Sequence, residues 1–279
     1  MLRAVRHLHM PVLLTVALLT ATTAQAGSGS SSLHGPDVAS YQHPHGAAID
    51  WNKVQGSGAS FTFVKATEGD SYTNPFFSGD YAEAHSAGLI RSAYHYARPH
   101  PDLNTATVQA RYFVKKAGTA GNKGDLPLTL DLEQAGGLNP QQLISWTKAF
   151  VAEVKTLTHR ATIIYTYPYF WQHAMANSTA FTDLPLWIAS YRDGGPETPL
   201  PGGWKSWTFW QYTSAGAQPG ISGSVDQSLY AGSKTALAAL ADPATAPGSD
   251  GGVIPPLPIH LPPHPGTPGT PTLHTNNAR

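Results

Sequence analysis

Asp131 and Glu133 stand two positions apart in the run "LPLTLDLEQ", Leu126 to Gln134, where the pattern is otherwise that of a buried strand. Side chains two apart on a strand point to the same side, with Cα atoms about 6.5 to 7 Å apart. Such a pair either ends a strand at a solvated sheet edge or faces a cleft and does chemistry. In a cleft, burial and the neighbouring charge each raise a carboxyl pKa and keep one acid protonated as a proton donor. Two carboxyls in different environments suffice to break a glycosidic bond: one protonates the leaving oxygen, the other handles the oxocarbenium-like carbon or a water.

Polar residues collect in the same way where other apolar runs finish. Asp37 and Tyr41 lie in "DVASYQ", Lys65 and Glu68 in "VKATEG", and Tyr94, His95 and Tyr96 in "AYHYAR". Tyr165 and Tyr167 lie in "YTY", Trp187 in "WIASY", Gln211 in "FWQYT" and Asp226 in "SVDQ". Asp37, Asp226 and the Asp131/Glu133 pair are the candidate catalytic acids. Lys65 is expected to pair with one of them or to contact substrate. Tyr94, Tyr96, Tyr165, Tyr167, Trp187 and Gln211 are the candidate substrate contacts, since Tyr and Trp rings suit the apolar C–H faces of sugars. Within Tyr94/Tyr96 and Tyr165/Tyr167, alternation is read as putting one ring of each pair in the core and the other in the cleft. His34, His43, His45 and His95 accompany no H-E-x-x-H or cysteine spacing, so they are read as loop and cleft residues, with no metal and no cofactor expected.

The elements that must carry these residues read as strand and helix in alternation. Strands are predicted at Pro36 to Ser40, Phe61 to Ala66, Ile90 to Tyr96, Leu126 to Leu132, Ala161 to Tyr167, Pro185 to Ser190, Trp207 to Tyr212 and near Val225. Helices are predicted at Phe76 to Gly88, Asn104 to Ala117 and Pro140 to Leu157, the last with Asn139 as N-cap and Leu143, Ile144, Phe150, Val151, Val154 and Leu157 at helical spacing. The later strands are joined by Gly- and Pro-rich stretches without room for full helices. This is an α/β pattern, a modified TIM-type barrel of mainly parallel strands whose last turns have lost their helices. In such barrels the chemistry sits at the C-terminal ends of the strands.

Composition limits the class further. Arg3 and Arg6, the apolar run Pro11 to Leu19 and Ala24-Gln25-Ala26 read as a secretory signal, residues 1–26. Its apolar core is shorter than the roughly 20 residues a bilayer needs, so no membrane anchor is expected and the mature chain is read as secreted, to the medium or the cell wall. A Gly/Ser-rich leader, 27–34, precedes the folded zone 35–242, a single domain. The Pro-, Gly-, Thr- and His-rich tail 243–279 is read as disordered. The chain has no cysteine, so its core must hold it without disulfides. Lys and Arg are scattered and the formal net charge is zero, which argues against a nucleic-acid partner.

In order along the chain, "DVASYQ", "IDWNKV", "FTFVKATEG", "AGLIRSAYHYARP", "LPLTLDLE", "IIYTY", "LWIASY", "WTFWQYTSAG" and "VDQSLY" resemble glycoside hydrolase family 25, the Chalaropsis-type lysozymes. The resemblance covers nearly the whole folded zone. It implies a barrel of five β/α units followed by three strands, and an N-acetylmuramidase that cleaves the β-1,4 bond between N-acetylmuramic acid and N-acetylglucosamine in peptidoglycan. It further implies Glu133 as general acid, Asp131 stabilising positive charge at the sugar or its acetamido group, and Asp37 and Asp226 as supporting acids. Its partners would be peptidoglycan glycan strands, and the protein a monomer. Tyr41-Gln42 departs from the Trp-Gln of many relatives, which bears on sugar contacts near Tyr41. A barrel that binds wall glycan without turnover is the rival reading and would require a missing acid. A wall amidase would require a metal triad or a cysteine nucleophile.

Overall fold

The computed structural model describes residues 32–245, so the predicted signal and most of the predicted leader and tail lie outside the described residues. In chain order the elements are β1 (His34–Val38), α1 (Trp51–Gly56), β2 (Phe61–Glu68), β3 (Tyr72–Thr73), α2 (Phe77–Ser86), β4 (Ile90–Tyr96) and α3 (Thr105–Ala117). There follow β5 (Thr129–Asp131), α4 (Pro140–Thr158), β6 (Ile163–Thr166), α5 (Pro168–His173), β7 (Leu186–Ala189), β8 (Phe209–Gly216), β9 (Val225–Tyr230) and α6 (Lys234–Leu240).

The strands pair in the order β1-β9-β8-β7-β6-β5-β4-β2-β3, and β1 also pairs with β2, so eight of them close a barrel and β3 hangs on β2 as a short hairpin. Every barrel pairing from β1 through β8 is parallel, whereas β9 runs antiparallel to both β8 and β1. Five strands are each followed by a helix, and three strands then finish the ring, as the sequence resemblance implied. Two of the five helices, α1 and α5, are one to two turns long and were not legible as helices. Strand β5 is only Thr129–Asp131, shorter than the apolar run that announced it.

Both faces of the strands are buried, which is why they read as continuous apolar runs. Inside the ring lie Phe61, Phe63, Tyr94, Ile163, Tyr165, Trp187 and Phe209, with Leu237 and Leu240 of α6 packed in the same cluster. Outside it, Val64, Ala93, Leu130, Ile164, Ile188 and Trp210 meet the helices. Helix α4 begins at a reciprocal cap: Asn139 Oδ1 accepts from Gln142 N at 3.0 Å and Gln142 Oε1 accepts from Asn139 N at 3.1 Å, with Pro140 in the first turn. It stops at His159, whose φ of 58° is left-handed. Its buried face is Leu143, Trp146, Phe150 and Val154, a slightly rotated version of the predicted stripe, and Leu157 is exposed.

The seam where β1 closes on β2 is tight. A Cβ at Gly35 would lie 1.9 Å from the carbonyl oxygen of Phe61, a backbone atom that cannot swing aside. Gly35→Ala is therefore expected to force the seam apart and to destabilise the chain by about 1 to 3 kcal/mol or more, as overpacking does. Urea denaturation measures it; a midpoint equal to wild type would contradict the tight closure.

Candidate active site

The strand register sets the site out in rows. Tyr96 is level with Asp131, and Asp131 with Tyr165, so the β5 acid is flanked on both sides by tyrosines from neighbouring strands. Asp37 is level with Asp226 across the antiparallel β1–β9 ladder. Asp226 therefore reaches the same mouth from the second residue of its strand, not from its end. The expectation that each acid finishes a run is corrected there: a reversed strand presents its start at the rim.

A register shift between Lys65 and Thr67 aims the β2 residues. Phe61 and Phe63 face inward, as does Lys65. Ala66 packs in the outer layer, and Thr67 Oγ1 meets His95 Nδ1 there at 2.8 Å. Two successive residues thus face out, which returns Glu68 to the mouth, the usual effect of a bulge. Lys65 Nζ bonds Glu68 Oε2 at 2.6 Å and lies 4.9 Å from the centre of the Tyr96 ring. It does not pair with any of the four candidate acids, contrary to one expectation, although its charge lowers the pKa of both Asp131 and Glu133. Arg98 also grips Glu68, with Nε 2.8 Å from Oε1, and donates to Gln134 Oε1 at 2.6 Å. Gln134 in turn donates to the Tyr96 hydroxyl at 2.9 Å. Neither Arg98 nor Gln134 was singled out from sequence; their positions just past the β4 and β5 runs were the available signal.

Four carboxyls meet as two neighbouring pairs, Asp131 with Glu133 and Asp37 with Asp226. Burial is the main cause of raised pKa in all four; Glu133 raises Asp131 further while Asp131 opposes the rise of Glu133, and Asp226 raises Asp37 further while Asp37 opposes the rise of Asp226. Oδ1 of Asp131 is buried and accepts from none of the amide or hydroxyl groups around it. Glu133 lies beyond the last residue of β5 yet reaches the same space, so the shared face inferred from strand spacing extends past the strand.

Asp226 is pushed up from 3.8 to about 6, first by burial, with the charge of Glu133 adding to it and the bond to Asp37 opposing. A folded pKa above the unfolded one contributes stability that is full below about pH 3.8 and lost as pH rises through about 6. Asp226→Asn is therefore expected to raise the melting temperature at pH 7 and flatten its fall between pH 4 and pH 7. An unchanged pH slope in differential scanning calorimetry would refute the strained pair.

The tyrosines correct the alternation argument. Residues two apart share a side, and the charges of Asp131 and Glu133 reach the hydroxyls of both Tyr94 and Tyr96. Tyr165 and Tyr167 both feel Glu133. Depth distinguishes them: Tyr94 and Tyr165 are buried as the floor, while Tyr96 and Tyr167 are half-buried above. Trp187, expected to touch sugar, is 2% exposed, stacked on Phe63 with centroids 3.8 Å apart, and its Nε1 donates to Ser228 Oγ at 3.0 Å. It packs beneath the site. Gln211 is 1% exposed and fully engaged by protein groups. Tyr191, just after β7 and not assigned from sequence, donates to Gln211 Oε1 at 2.8 Å while its ring is 43% exposed.

The histidines are structural. His95 points into the helix layer between Thr67 and Gln109, and burial drives it down to about 4, so it is neutral. His43 is buried between Asp80, at 2.8 Å, and the carbonyl of Ala47, while His45 is on the surface. Among the described residues no group of three or more His, Asp or Glu is placed to hold a metal ion. No helix among them is long and apolar enough to cross a membrane.

Comparison with known proteins agrees with this architecture. The model of glycosyl hydrolases family 25 matches residues 36–221. Lysozyme M1 of Streptomyces globisporus is 36% identical over 221 residues, covering 76% of this chain and 72% of its own. The N,O-diacetylmuramidase of Chalaropsis is 38% identical over 212 residues, covering 70% and 96%. The crystal structure of a bacterial lysozyme from Streptomyces coelicolor superposes with a TM-score of 0.70 at 36% identity, over 78% of this chain and 100% of that one. A family GH25 lysozyme from Aspergillus fumigatus does so with a TM-score of 0.67 at 33% identity, over 76% and 100%. With a family match across most of the barrel and four carboxyls gathered at its mouth, this chain belongs to glycosyl hydrolases family 25 and is a glycoside hydrolase.

Proposed function

We propose that the enzyme is a muramidase that hydrolyses the β-1,4 bond between N-acetylmuramic acid and N-acetylglucosamine in peptidoglycan, acting outside the cell. The observation that carries this reading is the Asp131/Glu133 pair at the barrel mouth, buried, adjacent and raised in pKa. The lysozyme and muramidase relatives support the substrate class. Arg3 and Arg6 ahead of the apolar run Pro11 to Leu19, with Ala24-Gln25-Ala26 after it, support export.

In this reading the substrate's acetamido group lies against Asp131. Its N–H donates to the buried Asp131 Oδ1 and favours the Asp131 carboxylate, reversing the order in the free enzyme, where Asp131 is raised further than Glu133, and moving the proton to Glu133. Glu133 then protonates the glycosidic oxygen as the acetamido oxygen attacks the anomeric carbon and the leaving sugar departs. Asp131 balances the positive charge of the resulting cyclic intermediate. Water, deprotonated by the Glu133 carboxylate, opens that intermediate from the opposite face, so two inversions give net retention. The Asp37/Asp226 pair, as it ionises, adds negative potential on the other side of the mouth.

Digestion of purified peptidoglycan, read by mass spectrometry and reducing-end labelling, tests the reaction. Reducing N-acetylmuramic acid is the expected new end. Free amino groups would indicate an amidase, and no new ends would indicate a binding protein; either result overturns the proposal. NMR of the first product should show the β-anomer, and an initial α-anomer would overturn retention.

A further inference from the structure

We infer that Gln211 is a positioning residue that fixes the hydrogen-bond polarity of the Asp37/Asp226 pair and does not itself bind sugar. Its side-chain amide has two hydrogens, and Nε2 lies 3.0 Å from Asp37 Oδ2 and 3.2 Å from Asp226 Oδ2. Its carbonyl oxygen has two lone pairs, and Oε1 accepts from Tyr165 at 2.9 Å and Tyr191 at 2.8 Å. All four positions of the amide are taken, and the side chain is 1% exposed, so no capacity is left for a ligand. The carboxyls also fix which way the amide lies. A flipped Gln211 would set its oxygen against two carboxyl oxygens, where only protonated acids could satisfy it.

Two consequences follow from that orientation. Asp37 and Asp226 each keep an oxygen committed as an acceptor, which favours one shared negative charge, and the amide lowers the pKa that burial and mutual repulsion raise. Tyr165 and Tyr191 each spend their only hydrogen on Oε1, so toward the cleft they offer lone pairs alone. They can accept from sugar hydroxyls and cannot donate to them. The titratable groups facing the pair are Gln211's two tyrosine partners, Asp131 from β5, Glu133 from beyond β5, and Tyr94 from β4.

The consequence for catalysis rests on the muramidase reading, but the titration itself can be followed without substrate. The test is Gln211→Met, which keeps volume and removes all four bonds. Without its two donors the ionised pair is less stabilised, so its titration moves to higher pH by about one unit. The folded pKa being raised further, stability is lost between acid and neutral pH by a larger amount than in wild type. The expected result is a steeper fall of melting temperature from pH 4 to pH 7, together with an acid limb of kcat/KM moved up in pH and a KM within twofold of wild type. A melting curve offset equally at every pH would show a merely structural side chain and overturn the inference. A KM several-fold higher with the limb unmoved would make Gln211 a sugar ligand and also overturn it. Should Q211M not fold, Tyr191→Phe removes one of the hydroxyls that hold the amide, at an exposed ring; a smaller shift in the same direction is expected, and a superimposable profile overturns the proposal. Failure of wild-type protein to release muramic acid ends would sink the muramidase reading while leaving the melting result intact.

Discussion

Glu133→Gln is expected to lower turnover on peptidoglycan by about 10²- to 10⁴-fold, the usual worth of a general acid, with the melting transition preserved. The substitution keeps the shape of the side chain and a hydrogen-bond donor, and removes only the transferable proton. The defect must therefore depend on how much the leaving group needs that proton. An aryl glycoside whose phenol leaves readily as the anion needs little, so the first step of E133Q on such a substrate should approach the wild-type rate. An equal loss on both substrates, measured by release of phenol and of reducing ends, would remove Glu133 from the role of acid.

Asp131→Asn should cost about 10²- to 10³-fold, the range for removing one preorganised electrostatic contact with a developing charge. Asn keeps an oxygen able to accept an acetamido N–H, so orientation survives and the lost quantity is the negative charge beside the cyclic intermediate. A better leaving group cannot replace that charge, so D131N should remain impaired on the aryl glycoside. Recovery there equal to that of E133Q would mean that the two carboxyls do not have separate roles. The contrast between the two variants is more informative than either loss alone.

Much of this site was legible in the sequence, and what was not has a local physical cause. The acids Asp37, Asp131 and Asp226 could be found because charge is rare at the rim of a ring whose strands are apolar on both faces. Strand direction was not legible: nothing in "SVDQSLY" says that β9 runs backwards, and only the ladder with β1 shows why Asp226 sits near its start. Nor was the bulge in β2, because a one-residue shift leaves composition unchanged while reversing which side Thr67 and Glu68 face. Trp187 was misplaced because an aromatic near a strand end reads alike whether its ring forms the floor or the wall; the stack on Phe63 decides for the floor. The roles of Arg98 and Gln134 depend on Glu68 and Tyr96, partners 30 and 38 positions away, which no local pattern reveals.

The level pairing of Asp37 with Asp226 joins residues from opposite ends of the folded chain, on the two strands that meet last along the sequence. No contiguous fragment of the barrel can contain that dyad unless it contains almost all of the barrel. Whatever the dyad contributes to turnover is thus out of reach until the ring closes, and the recovery of its pH-dependent signature after denaturation reports that closure.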